Sequence, residues 1–225
     1  MPRVNHKKVC QALSTARMSA YRQTTDAKTL QAYASNVKLS EALYVSIQQL
    51  EVVLRNRFEI VLVKEFGTTW FTNTDFLLML ESHGRTQIFS AIDKIIQANK
   101  PLVSGAIVAE LTFGFWTFLL NKKYEFRLWN PHDHLLFPNA IPHNRNIKII
   151  REEFTKIRQL RNRIAHHEPI NKQPLELWSR YETIVKLLGW MNPDVTHWLI
   201  SSKCDRFPSV FNAIFNPKPR KRKTP

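Results

Sequence analysis

The chain has little cysteine, little glycine and few acidic residues, and each scarcity removes a class of protein. Cys10 and Cys204 are its two cysteines, and so wide a separation gives neither a disulfide framework nor the paired CxxC spacing of a zinc site. Five glycines in 225 residues leave turn signals sparse. Apolar residues recur at three and four positions rather than at alternate ones, which predicts helices and not strands. No export signal is expected either, because His6, Lys7 and Lys8 are followed by Gln11, Ser14, Thr15 and Arg17, too polar for the apolar part of a signal peptide. Together with unpaired cysteines, this predicts a cytoplasmic protein. No internal repeat is present.

The shortage of carboxylates has the largest consequence. Asp and Glu number 18 against 33 Lys and Arg, for a net charge of +15 and a pI near 10.1. Such a balance attracts polyanions over long range, and nucleic acid is the first partner to consider. The stretch from residue 216 to 225 reads as a disordered basic tail, rich in proline and carrying Arg220, Lys221, Arg222 and Lys223. Those four can add RNA affinity by releasing counterions.

What is present in quantity is apolar bulk: 44% hydrophobic residues, with 14 Phe and 6 Trp, enough to fill a substantial core. Leu102 to Leu120 is almost wholly apolar, flanked by Lys100, Lys122 and Lys123, and approaches the length of a bilayer span. Glu110 sits at its middle, and Ser104, Thr112 and Thr117 weaken it further, so it reads as a buried core helix and no membrane partner is expected.

Elsewhere the periodicity predicts a long helix from Leu39 to Phe66, with Ser40 as its cap and Gly67 at its end. Glu51, Arg55 and Asn56 lie off its apolar stripe, the first two at an i, i+4 spacing that suits an ion pair. Further helices are predicted from Arg85 to Ala98, from Asn144 onward, from Pro174 to Gly189 and from Asn192 to Ser201. The Pro- and His-rich stretch from Asn130 to Pro142 reads as a loop. The domain organisation expected is a partly helical N-terminal segment (residues 1–38), an all-α domain (39–215) and the tail (216–225). His132, Asp133, His134 and His143 are metal-ligating residue types, but their spacing matches no zinc pattern, so no metal and no cofactor are assigned.

The helix from Asn144 delivers the segment RNRIAHHE, Arg161 to Glu168. RNA carries its own nucleophile, the 2′-hydroxyl, and its cleavage requires a base, an acid and donors for the charged phosphate. Imidazole exchanges protons near neutral pH, and a guanidinium grips two phosphate oxygens. His166 and Arg161 therefore supply part of such a site, and Asn162, one turn before His166, can orient either group. Five helical residues separate Arg161 from His166 by about 140° around the axis. Unwinding before Pro169, a long reach by Arg161, or a second copy of the chain would each close that gap. One Arg and one His are also too few for an acid–base pair, which favours a symmetric dimer. The structural alternative is that Arg161 and His166 hold the helix end to its neighbours.

RNRIAHH resembles the R-x4-H signature, with Asn second, of HEPN-type ribonucleases. LSEALYVSIQQLEVVLRNRFE, LTFGFWTFLL and LRNRIAHHEPI, in this order and spacing, resemble the Abi-like (abortive infection) proteins of bacterial phage defence over about Leu39 to Gly189. The resemblance implies an all-α, HEPN-like helical bundle with additional helices. It also implies a homodimer that cuts RNA without a metal, leaving a 2′,3′-cyclic phosphate and a 5′-hydroxyl. Arg161, Asn162 and His166 carry over as catalytic residues. Arg55 and Asn56 match the RN pair of the family's first helix and join Glu51, His167 and Glu168 as supporting residues, although Glu168 can equally pair with Arg163. An antitoxin protein or a small regulatory RNA is the further partner implied. A non-catalytic RNA-binding or sensor protein of the same fold, or a protein-interaction module, is the alternative.

Overall fold

The computed structural model describes residues 4–216. It is all-α, 76% helical, with no strand among the described residues, as the three-and-four spacing predicts. The α-helices in chain order are α1 (His6–Ala12), α2 (Thr15–Ser19), α3 (Asp26–Phe66), α4 (Thr74–Met79), α5 (Ser82–Gln97), α6 (Ser104–Glu110), α7 (Phe113–Phe118), α8 (Asp133–Leu136), α9 (Ile147–Ala165), α10 (Pro174–Met191), α11 (Pro193–Ser201) and α12 (Phe207–Phe215). They form two compact units, each gathered from separated stretches. Among the described residues, the first comprises 4–46, Leu160–Glu182 and 199–216, and the second Ile47–Gln159 and Thr183–Trp198. The basic residues Arg220 to Lys223 lie outside the described residues.

In the first unit, Leu39 and Leu43 of α3 are fully buried, as is Phe207 of α12. Trp178 of α10 packs against Tyr181, Phe207 and Phe211, with ring centroids 5.0 to 6.1 Å apart. Asp205 pairs two polar groups inside this unit: the Tyr181 hydroxyl donates to Asp205 Oδ2 at 2.5 Å, and the Ser46 hydroxyl to Asp205 Oδ1 at 3.4 Å.

The second unit is built on a larger aromatic core. Trp116 meets Phe58, Trp70 and Phe115 at 5.1 to 6.4 Å, and Phe154 of α9 meets Phe113 and Phe137. Trp70 Nε1 donates to Ser104 Oγ at 2.7 Å, and that hydroxyl donates to Glu59 Oε1 at 2.5 Å. A buried indole N–H and a half-buried carboxylate thereby satisfy each other through one serine.

Four sequence expectations are corrected. The long helix begins at Asp26, not Leu39, and is 41 residues long, so no break falls between residues 38 and 39. Thr25 caps it, its hydroxyl accepting from Lys28 N at 3.2 Å. Its first turns bury polar Thr29 and Asn36, which an apolar count passes over. The run from Leu102 to Leu120 is two short helices, α6 and α7, because Leu111 is extended and Thr112 caps the second, accepting from Phe115 N. Gly189 does not end α10. The stop comes at Asn192, whose Oδ1 takes the amides of Asp194 and Val195 and opens α11 at Pro193. The expected loop from Asn130 contains α8 and a 3₁₀ turn, Pro142–Asn144. No helix among the described residues is long and apolar enough to cross a membrane.

Candidate functional site

RNRIAHHE occupies the C-terminal turn of α9 in the first unit, and its backbone hydrogen bonds define how that helix stops. His166 N still donates to Asn162 O at 2.9 Å, in helical register. His167 then takes a left-handed conformation with φ of 57°. His167 N donates to Ile164 O at 3.0 Å and Glu168 N to Arg163 O at 2.8 Å. These two bonds are the Schellman closure, here with histidine in the position that glycine usually fills. Pro169 prevents any return to helix.

The peptide beyond the closure is fixed residue by residue. Arg17 Nη1 of α2 donates to His167 O at 3.0 Å, Asn36 Nδ2 of α3 to Glu168 O at 3.3 Å, and Arg163 Nη2 to Pro169 O. Ile170 N donates back to Asn36 Oδ1 at 2.7 Å. Three consecutive carbonyls thus each accept from a different side chain, and Asn36, almost wholly buried, spends both ends of its amide on this segment. Arg163 also faces Glu168 at 3.7 Å. Of the two roles open to Glu168, the structure shows the Arg163 pair.

Against this fixed backbone, Arg161, Asn162 and His166 make no side-chain hydrogen bond or ion pair among the described residues. Asn162 and His166 are exposed, and Arg161 is half-buried with its Nε enclosed and unpartnered. The tasks that the structural alternative gave to Arg161 and His166 are performed by Arg163, Arg17 and Asn36. Because α9 stays helical to Ala165, the divergence of about 140° between Arg161 and His166 is not removed by unwinding. His167 is exposed and faces a cleft of about 420 Å³ lined by Tyr33, Val37, Tyr44 and Ile164.

Glu51, Arg55 and Asn56 belong to the second unit. Arg55 is half-buried with Nε enclosed and unpartnered, and Asn56 is exposed. The residues that do fix this stretch of α3 are Arg57, whose Nη2 donates to Met191 O at 2.5 Å, and Glu59. Burial lowers the Arg57 pKa. Sequence reasoning missed Asn36, Arg17 and Arg57. The available signal for the first was a polar residue on the buried face of a helix capped at Thr25.

The histidines of the other stretch are dispersed. His132 is 5% exposed and its Nε2 lies 3.2 Å from Glu65 Oε2, while His134 Nδ1 is 3.7 Å from Asp133. Among the described residues no three His, Cys, Asp or Glu side chains come together as a metal-ligand set. No family model matches the chain, and no curated protein or solved structure matches it either.

Proposed function

We propose that the chain is a metal-independent endoribonuclease of the Abi-like, HEPN type, acting as a homodimer in the cytoplasm in phage defence. One observation carries the reading: at the end of α9 the turn is held by Arg163, Arg17 and Asn36, leaving Arg161, Asn162 and His166 free on a fixed backbone. Such a division suits catalysis, where reacting groups must be presented without being spent on the fold.

In this reading the 2′-oxygen of RNA attacks phosphorus while His166 of one copy accepts the 2′-hydroxyl proton. The P–O5′ bond breaks, and His166 of the second copy delivers a proton to the departing 5′-oxygen. The products are a 2′,3′-cyclic phosphate and a 5′-hydroxyl. Arg161 faces the charge on the non-bridging oxygens, and the Asn162 amide donates to phosphate or imidazole. Two copies resolve both the divergence of Arg161 from His166 and the need for an acid as well as a base.

The test is incubation of purified protein with single-stranded RNA in EDTA. Wild type yields cyclic-phosphate and 5′-hydroxyl ends, and His166→Ala binds RNA but does not cut it. Cleavage retained by that variant overturns the assignment. Tight, salt-sensitive binding by a wild type that never cuts favours the non-catalytic RNA-binding reading.

A further inference from the structure

The second unit contains a concave groove of about 610 Å³ lined by Lys122, Glu125, Asn130, Arg145, Lys148 and Arg151. Four cations face one carboxylate. Arg145 is held in place, its Nε donating to Ala140 O at 2.9 Å and its Nη1 lying 3.7 Å from Asp133. Lys122, Lys148 and Arg151 have no side-chain hydrogen bond or ion pair among the described residues. Like charges gathered in a concavity repel one another, and the field they focus there is relieved only by an anion.

The local backbone adds to this. Lys148 and Arg151 stand in the first turns of α9, three residues apart and hence on one side of the helix. The same end carries the positive pole of a 19-residue helix. Asn146 Oδ1 accepts from Ile149 N at 3.2 Å and fixes the helix start. The groove is also lined by Glu125 and Trp129 of a π turn, Glu125–Trp129, closed by Asn130 N donating to Glu125 O at 2.8 Å. Such turns are infrequent in helical proteins and recur at functional sites.

We infer that this groove binds the phosphate backbone of single-stranded RNA through Lys122, Lys148 and Arg151, with Arg145 as a preset fourth donor. The inference rests on RNA being the ligand of the proposed function, but not on its being cut. Phosphates recognised by point charges carry no base preference, so the groove holds the strand whatever its sequence. An acidic protein is the competing occupant, and the experiment separates the two.

The probe is a fluorescein-labelled oligouridylate of twelve nucleotides, titrated in EDTA with full-length protein carrying His166→Ala so that the strand stays intact. Lys122→Glu/Lys148→Glu/Arg151→Glu is compared with a triple of equal charge change on exposed lysines of the first unit, Lys28→Glu/Lys38→Glu/Lys172→Glu. The groove triple binds at least about 30-fold more weakly at 100 mM salt, and its plot of log K against log salt is shallower by about 2, at roughly 0.7 for each phosphate no longer neutralised. The control triple changes affinity less than about 3-fold. Should the groove triple fail to fold, Lys122→Gln/Lys148→Gln/Arg151→Gln gives the same sign of change in slope. Equal weakening by both triples means that net charge alone binds RNA and overturns the groove, as does unchanged binding by the groove triple. A wild type that ignores the oligonucleotide but binds polyglutamate overturns it in favour of an acidic protein. Groove-dependent binding by a wild type that never cleaves sinks the nuclease reading alone. With His166 restored, cleavage at an unchanged KM in the groove triple sinks the groove alone.

Discussion

Residues 130–145 of the second unit and residues 161–170 of the first both contain paired or near-paired histidines, and both are punctuated by proline, yet they treat their histidines in opposite ways. His132 lies four residues after Leu128 and four before Leu136, and all three are buried. Its Nε2 meets Glu65, whose other oxygen accepts from Arg127 Nε at 2.6 Å. His166 follows Leu160 by six residues, about 120° off the buried stripe of α9, and is exposed at the helix end. In one region the side chains are consumed in holding the structure. In the other the backbone is held by outside donors and the motif side chains are left over. What separates them is whether a histidine falls in register with apolar neighbours, not local composition.

The largest effects come from exchanging one histidine for the other in the test. His166→Ala lowers the cleavage rate by about 10² to 10⁴, the range that one acid–base group contributes, and shifts unfolding by less than about 0.5 kcal/mol as a surface change. His132→Ala does the reverse, destabilising by about 2 kcal/mol through the lost bond to Glu65 and the void left behind while the rate per folded molecule holds. Denaturant unfolding and initial cleavage rates, run on both variants, decide this. Equal stability losses would mean that the two regions do not differ as described.

Asn36→Ala comes next, because it strips the outside support from the α9 terminus without touching a motif residue. The amide of Ile170 and the carbonyl of Glu168 lose their partner together, and one buried, unsatisfied backbone group costs about 1 to 3 kcal/mol. Exchange of the Ile170 amide should accelerate, and cleavage should fall with unchanged KM. Unaltered exchange would show that Arg17 and Arg163 suffice to hold the turn.

His167→Gly has the opposite sign. A non-glycine residue at φ of 57° is strained by roughly 1 kcal/mol, and glycine removes that strain against an extra chain-entropy cost of about 0.5 kcal/mol. A net gain of about 0.5 kcal/mol is expected, with cleavage unchanged because the His167 carbonyl still accepts from Arg17. A drop in cleavage would give the His167 imidazole a part in the reaction.

Fold class, the positions of α5, α9, α10 and α11 and the location of the exposed motif were legible in the sequence because they depend on periodicity and on terminators such as Pro169 and Pro193. The start of α3 was not, because its first turns are secured by Thr25 and by buried Asn36, whose partners Glu168 and Ile170 are more than 130 residues away. The break at Thr112 was equally obscure, since a capping threonine inside an apolar run has the same composition as an unbroken helix. At the candidate site, the residue types and the helix end could be read. The allocation of Arg163 to structure, and of Arg161 to none, depends on which side of α9 meets Pro169, and that becomes visible only when the turn is built.

The contrast between the two histidine regions could arise from the unit each belongs to rather than from the partners each side chain has, and Tyr181 separates these explanations. It lies in the same unit as His166 but is buried and bonded like His132. Burial, and then the hydrogen bond to Asp205, push its phenol pKa well above the ordinary value. A phenol whose proton is held more tightly in the folded chain contributes its full stability below about pH 10, the unfolded value, and loses it as the pH climbs toward the folded value. Wild type should therefore lose stability faster than Tyr181→Phe between pH 10 and pH 11. The difference stays below the limit of about 1.4 kcal/mol per pH unit for one proton, and solvent screening reduces it further. Parallel unfolding curves for the two proteins over that interval would detach Tyr181 from Asp205 and leave the first unit without a side chain held as His132 is. Diverging curves place the distinction in the partners, since one unit then contains both a consumed polar side chain and a free one.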